Sequence, residues 1–326
     1  MSKKIIFPVV DSKGKPLNRQ WENVQAVLDY MGVTARYNIL SKEIEVVQDK
    51  KWENILADIH SYAPEIREVC IRKGLKISSC VLASLIRVIA HNNEYSPVRD
   101  YLNSIYSFYK DFIDLEKGEN IGTLFSCLKT KGLPADKGLY KILLTKWLIG
   151  AYKIAFNQGG ENCEGVLVLQ GKQGIGKSRF LHSLSPDDNW FNNEVIIKNM
   201  RAREIVNATG YWISNLSDSV GHIFRPFLTN SSDTYRLPYK KRLVDYPRLT
   251  AFVSTINQPK YISNYPNDRR YWTIPVEAIE NLEKVNINKV WAEVAYKVLI
   301  KDEKHWLSDA EVEALHTVNV RFMKGR

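Results

Sequence analysis

The run Gly171-Lys-Gln-Gly-Ile-Gly-Lys177-Ser178 carries the clearest chemistry in this chain. It reads Gly-x4-Gly-Lys-Ser, with apolar Gly165-Val-Leu-Val-Leu-Gln170 before it and Arg179-Phe-Leu-His-Ser-Leu184 after it. A buried strand, a glycine-rich loop and a helix in that order are the setting a phosphate-binding P-loop requires. Glycines let the backbone curl until several N–H groups point at one anion, and the start of the helix adds partial positive charge. Lys177 is expected to reach the β and γ phosphates, and the Ser178 hydroxyl to ligate Mg²⁺. The expected ligands are ATP and Mg²⁺, and the expected nucleotide contacts are Gly171, Gln173, Gly174, Ile175, Gly176, Lys177, Ser178 and Arg179. A chance glycine-rich turn is the competing account, and the strand–loop–helix context argues against it.

Hydrolysis of a bound triphosphate needs more than this loop. An acidic group at the end of a neighbouring strand holds the metal and helps position water. The candidate strand, Tyr211-Trp-Ile-Ser-Asn-Leu216, ends at Asn215 rather than at a carboxylate, and Asp218 follows three residues on. A carboxamide can hydrogen-bond water but cannot act as a base. Asp218 is therefore the candidate for the missing charge and for the second metal contact beside Ser178, against the plainer reading of a loop aspartate. A further strand, Leu249-Thr-Ala-Phe-Val-Ser254, leads to Asn257, whose amide can orient an attacking water. Asn267-Asp-Arg-Arg-Tyr-Trp272 then offers Arg269 and Arg270, read either as a solvated surface or as a source of an arginine finger for a neighbouring subunit's γ-phosphate.

Between the second and third of these strands lies a basic, tyrosine-rich stretch. Residues 225–248 hold six basic residues and two acidic ones. Cationic side chains can pair with phosphates and tyrosines can stack on bases. A protruding hairpin is expected there, with Arg236, Tyr239, Lys240, Lys241 and Arg242 as candidate DNA contacts. The plainer alternative is a solvated loop.

The elements that must hold these groups are legible as patterns. Trp21, Val24, Leu28 and Met31 recur at helical spacing, and Tyr37 to Val47 alternates as a short strand or hairpin does. Residues 52–115 read mainly as helices, one with Val81, Leu82, Leu85, Ile86 and Ile89 on its apolar face and another starting at Ser96-Pro97. Residues 117–138 read as a linker, broken most clearly at Gly132-Leu-Pro-Ala-Asp-Lys-Gly138. A helix from about Leu139 to Phe156 follows. Short apolar runs then appear at Val166–Leu169, Val195–Ile197, Tyr211–Ile213, Ala251–Ser254 and Tyr271–Ile274, separated by helical or loop segments. Such alternation predicts an α/β sheet with parallel strands. Val290, Trp291, Val294, Ala295, Val298 and Leu299 predict a late amphipathic helix, and Ser308 with Glu311 a capping box for the last one. The expected division is a mainly helical accessory domain over 1–138, taken to bind origin DNA, a loader or a host partner, and a P-loop α/β ATPase domain over 139–326.

Bulk composition is compatible with this. The 326 residues are 44% hydrophobic and 25% charged, and Lys and Arg exceed Asp and Glu by ten, a balance that favours a polyanionic partner. The four cysteines, Cys70, Cys80, Cys127 and Cys163, form no Cys-x-x-Cys pair, which points to buried free thiols in a reducing compartment rather than zinc or disulfides. The first residues hold too short an apolar run for a signal peptide, and no stretch approaches the roughly 20 apolar residues a membrane span needs. The expected location is the cytoplasm, with no membrane partner.

Taken together, these pieces resemble the virulence-associated protein E family of prophages and pathogenicity islands, relatives of the superfamily III helicases. The resemblance runs from about Asn18 to Phe322. It rests on Pro97-Val-Arg-Asp-Tyr-Leu102, Lys146-Trp-Leu148, Val168–Ser178, Trp190-Phe191, Tyr211-Trp-Ile213, Tyr235–Lys240, Ser254–Asn257, Asp268–Trp272 and Trp306-Leu-Ser-Asp309. It implies a P-loop AAA+-type ATPase core, a homohexameric ring around single-stranded or forked DNA, and work in the replication of a mobile element in a bacterial host, alongside host or phage replication proteins. It also implies Asn257 as the γ-phosphate sensor, Arg269 or Arg270 as the trans-acting finger, and Lys240 and Lys241 in the central channel. Two departures stand out. The family usually places Glu where Asn215 stands, with a second acid where Asp218 stands, and the segment from Asp218 to Phe227 looks short. The main expectation is an ATP-dependent DNA helicase or translocase. The alternative is a weakly hydrolysing, ATP-gated DNA clamp or scaffold. No primase-like stretch precedes residue 18, so priming is expected from another protein.

Overall fold

The computed structural model describes residues 5–48, 57–112, 114–134, 136–216, 225–236, 242–262 and 268–324. The chain is a mixed α/β protein that divides into two compact units, Met1–Pro97 and Val98–Arg326.

In the first unit the helical spacing of Val24, Val27 and Leu28 yields α1 (Trp21–Met31), which Gly32 ends in a left-handed turn. The alternating residues that follow form β1 (Val33–Asn38) and β2 (Glu43–Gln48), an antiparallel pair in register from Val33 opposite Gln48 to Asn38 opposite Glu43. Then come β3 (Ala57–Asp58), α2 (Ile59–Arg72), α3 (Ser79–Asn92) and β4 (Glu94–Tyr95). The four strands lie in the order β3-β2-β1-β4. Val24, Leu28, Ile66, Cys70, Leu82 and Ile86 from the three helices bury together with Val33, Ala35 and Val46 from the sheet. This unit is therefore helices on a sheet, not the mainly helical body expected over 1–138.

The second unit opens with α4 (Pro97–Tyr109), α5 (Glu119–Ser126), β5 (Leu128–Thr130) and α6 (Asp136–Ala155). The expected linker over 117–138 thus contains a helix and a strand. Its order comes from far along the chain. The Glu293 carboxylate, fully buried, accepts hydrogen bonds from the backbone N–H groups of Asn120 at 2.8 Å and Ile121 at 3.2 Å, completing the start of α5. Burial raises the pKa of that carboxyl group. A boundary near residue 138 would cut β5 away from its sheet.

The rest of the chain supplies β6 (Val166–Gln170), α7 (Lys177–His182), β7 (Phe191–Asn192), α8 (Ala202–Thr209), β8 (Ile213–Asn215), α9 (Arg225–Leu228), β9 (Ser232–Tyr235) and β10 (Val244–Pro247). It ends with β11 (Ala251–Ile256), β12 (Tyr271–Ile279), α10 (Ile287–Leu299) and α11 (Asp309–Asn319). Six strands form one sheet in the order β5-β12-β6-β11-β8-β7. The five from β12 to β7 run parallel, as expected, and β5 joins β12 antiparallel. Two expected strands shift. Val195–Ile197 is irregular, with the Val195 N–H donating to the Asn215 carbonyl, while β7 forms earlier, at Phe191. Tyr211 lies before β8, which starts at Ile213.

Buried tryptophans tie the layers, each indole finding a carbonyl. Trp147 on α6 donates to Phe252 on β11 at 2.9 Å, Trp212 to Ala151 on α6 at 2.8 Å, and Trp291 on α10 to Leu184 at 2.8 Å. The Trp272 ring lies so close to Gly165 that a Cβ there would sit 2.2 Å from it. Ser308 and Glu311 form the expected capping box at the start of α11. All four cysteines are free thiols. Cys80 is exposed, contrary to the expectation that all would be buried.

Candidate functional site

Strand β6 is the innermost part of the site. Val166 to Leu169 are buried, held on one side by β11 and on the other by β12. The strand runs directly into Gly171, whose N–H still donates to the Ile256 carbonyl of β11 at 3.0 Å. A Cβ on Gly171 would fall 2.2 Å from the Val276 carbonyl oxygen of β12, so only glycine lets the chain turn out of the sheet here. Gly174 and Gly176 take φ of 84° and 92°, a left-handed conformation that side chains disfavour. The loop then enters α7 at Lys177.

The Lys177 side chain folds back under this loop and is buried. Its ammonium donates to the carbonyls of Gly171 at 2.8 Å and Lys172 at 2.7 Å, and to Oδ1 of Asn257 at 2.9 Å. Asn257 stands one residue past the end of β11, beside β6. Two residues singled out separately, 80 positions apart, therefore meet through their functional atoms. Gln173, Gly174, Ser178 and Arg179 face solvent around the same loop, while Ile175 is half-buried. Among the described residues no three His, Cys, Asp or Glu side chains gather as a metal site. Mg²⁺ does not require such a cage. It is commonly held by one or two side chains, waters and phosphate oxygens, and an exposed hydroxyl at Ser178 next to Lys177 fits that donor set.

Asn215 is placed differently from Asn257. It ends β8 opposite Val253, three residues before Ile256, or about 10 Å short along the strand direction. Its side chain is buried and its amide donates to the Asn193 carbonyl at 3.1 Å, tying the irregular 193–195 segment to β8. A carboxylate could not donate that bond. Asp218, Tyr239, Lys240 and Lys241 lie outside the described residues.

Arg269 and Arg270 sit at the other end of the sheet from the glycine loop. Tyr271 opens β12 opposite Val166, and the Val166 N–H donates to the Arg270 carbonyl at 2.8 Å. Four residue steps along β6, about 13 Å, separate that level from Gln170. Neither arginine is brought to its own chain's loop. Their guanidinium groups also differ. Arg270 contacts the buried Asp268 carboxylate at 3.3 Å. Arg269 is exposed and its side chain has no partner among the described residues, while its carbonyl accepts from Trp272 Nε1 at 2.9 Å. The two line a small polar recess with Asn162, Glu164 and Thr229.

The basic stretch between β8 and β11 does form a hairpin stem. Strands β9 and β10 pair antiparallel from Tyr235 opposite Val244 to Pro247 opposite Ser232, with the Tyr235 and Tyr246 rings stacked at 4.7 Å. Arg236 and Arg242, exposed, flank the tip. Arg248, counted in the sequence among the cationic residues of this stretch, is not a surface charge. It is buried at the hairpin root and forks onto Asp233, with Nε to Oδ2 at 2.8 Å and Nη2 to Oδ1. Its Nη1 donates to the Phe227 carbonyl, and the guanidinium lies 4.3 Å from the Phe227 ring centroid. Asn157, after α6, donates to the carbonyls of Ser231 at 2.8 Å and Arg248 at 3.0 Å. Sequence reasoning missed Asp233, Asn157 and the structural use of Arg248. The available signal was an acid and a base framing the hairpin on its two strands.

No helix among the described residues is long and apolar enough to cross a membrane. No curated protein matches the chain. Two solved structures of the NrS-1 C-terminal region share its fold. The A form of the apo region (305–718) has 13% identity and a TM-score of 0.53, covering 92% of this chain and 75% of that one. A second apo structure has 11% identity and a TM-score of 0.50, covering 93% and 76%. Residues 114–324, from the buried start of α5 through the glycine loop, the hairpin and the last helix, match the virulence-associated protein E-like domain, and the chain belongs to that family.

Proposed function

We propose that this chain is an ATP-dependent DNA helicase or translocase of AAA+ type that serves the replication of a mobile genetic element. The observation that carries the reading is the buried Lys177 ammonium at the carboxyl end of β6, in contact with Asn257 from the adjacent β11. In open parallel sheets, ligands bind in the crevice outside the carboxyl ends of the strands, where connections diverge. Strand β6 is such a place. The chain leaves it for the far edge at β7, and the link from β11 to β12 crosses over it.

In this reading the loop amides from Gly171 to Ser178 wrap a triphosphate tail. Lys177 would exchange its carbonyl and Asn257 acceptors for phosphate oxygens, and Ser178, with Asp218, would hold Mg²⁺. Bound Mg²⁺ would offset the charge that builds up on the phosphates. Asn257, released from Lys177, orients water. Arg269 completes the site of the next subunit, because it lies at the opposite end of β6 from its own loop and its guanidinium is exposed, whereas Arg270 is engaged by Asp268. Six copies would form a ring, with the tips that carry Lys240 and Lys241 facing DNA.

The clamp reading keeps one specific support. Asn215 is held by a bond that needs its amide, so the strand end where relatives carry an acid is here given to structure. Calorimetric titration with ATP and Mg²⁺ tests nucleotide binding first. Wild type should bind, and Lys177→Ala should bind roughly 10–100-fold more weakly, as expected for loss of charge-assisted hydrogen bonds. Absence of heat with wild type would end both readings. Binding with turnover stimulated by single-stranded DNA favours the motor, and binding without turnover favours the clamp.

A further inference from the structure

We propose that the first unit binds duplex DNA, with the turn between α2 and α3 on the phosphate backbone and the outward face of α3 in the major groove. This does not rest on the nucleotide site. The first observation is a one-sided charge pattern. From Val69 to Asn93 the sequence holds Arg72, Lys73, Lys76 and Arg87 and no acidic residue. Two of these cations are already used. Arg72 pairs with Glu68, and Lys73 lies 4.3 Å from the Tyr30 ring centroid. Lys76 and Arg87 are exposed, and their side chains have no partner among the described residues.

The second observation is that the turn is built rather than loose. Leu75 and Ile77 are buried in it, and Gly74 takes φ of 93°. Asn18 accepts from the Lys76 N–H at 2.8 Å, which places exposed Arg19 beside the turn. Arg67 donates to the Ile77 carbonyl at 3.0 Å. Ser78 then caps α3.

The third is the face that α3 presents. Its inner face buries Leu82, Ile86 and Ile89. Its outer face, at helical spacing, is Cys80, Ser84, Arg87 and His91, with Val88 beside them. Small groups at the N-terminal end and a free arginine one to two turns on suit close approach to base edges. A helix is about 10–12 Å across with its side chains, and the major groove is about 12 Å wide. Recognition helices enter that groove by their N-terminal residues while the preceding helix crosses the backbone.

The test uses the full chain without nucleotide and a fluorescein-labelled, blunt-ended duplex of about 30 base pairs and mixed sequence, read by anisotropy. Wild type should bind, and Lys76→Ala with Arg87→Ala should lower affinity at least about tenfold at low salt. Because Lys76 is the phosphate contact removed while Arg87 faces the groove, the slope of log K against log salt should shrink by about one. Ser84→Glu, which sets a carboxylate on the groove face without removing a cation, should lower affinity comparably. Unchanged affinity and slope in these variants would overturn the proposal, as would no binding of the duplex by wild type. Equally tight binding of the duplex and of a labelled single strand of the same length, with Ser84→Glu silent, would also overturn it, since charge alone would then be at work. ATP affinity should be unaffected throughout, so failure here leaves the nucleotide reading standing.

Discussion

Lys177 shows how much can depend on one side chain's acceptors. Its ammonium donates to Gly171, Lys172 and Asn257, so the cation is positioned before any ligand arrives and need only trade oxygens. The residue that reads pH is elsewhere. His305 is buried against Trp306, and burial holds its imidazole below the ordinary 6.5, partly opposed by the Glu161 carboxylate. The folded protein therefore prefers the neutral ring, and the unfolded chain takes up the proton first as pH falls. The stability tied to His305 is full above about 6.5 and is lost as pH drops toward the lowered folded value. Glu293 works with the opposite sign, because its raised pKa is a cost at neutral pH that protonation relieves in acid. Thermal midpoints measured from pH 7.5 to 5.5 should fall less for His305→Gln than for wild type. Parallel curves would mean that another group carries the acid sensitivity.

At the scale of elements, the hairpin depends on its root more than on its strands. Four-residue strands with one stacked tyrosine pair are marginal alone. The Arg248–Asp233 fork ties the two strands together at their root, and the guanidinium lies over the Phe227 ring of α9 and 5.2 Å from the Phe252 ring centroid of β11. Asp233→Ala leaves Arg248 buried without its counter-charge and should cost about 3–5 kcal/mol in denaturant unfolding. A double change, Asp233→Leu with Arg248→Met, should recover part of that loss, because an apolar pair needs no charge match. If the single variant unfolds like wild type, the fork is not what anchors the hairpin. The same element shows where a linear reading succeeds and fails. Alternating tyrosines and cations marked a hairpin in the right place. They did not reveal that Arg248 turns inward, since its partner Asp233 lies across the strand pair and becomes a neighbour only through the register. Residues 119–130 failed for a similar reason. They are too short to announce α5 and β5, which are completed by Glu293 and by β12.

At the scale of the molecule, the parallel sheet separates what its chemistry would join. Lys177 and Arg269 belong to opposite ends of β6, so in the proposed reading Arg269 acts on the γ-phosphate of another copy. Lys177→Ala and Arg269→Ala should each abolish turnover alone. Mixed, they should regain part of it, because some interfaces then pair an intact Lys177 with an intact Arg269. No recovery, with both variants still assembling, would remove the trans assignment. Arg270→Ala should act mainly on stability through Asp268.

Local pattern alone determined the glycine loop, the parallel α/β character of the second unit, the capping box at Ser308 and the presence of a hairpin. Those features are written in spacing and in glycine, and both act over a few residues. Tertiary structure decided the rest. It set the four-stranded sheet of the first unit and the boundary after Pro97. It joined Lys177 to Asn257, gave Asn215 to Asn193, and divided Arg269 from Arg270. Each of these depends on which strands become neighbours, and that follows from burying apolar faces together across the chain, which no window of sequence contains.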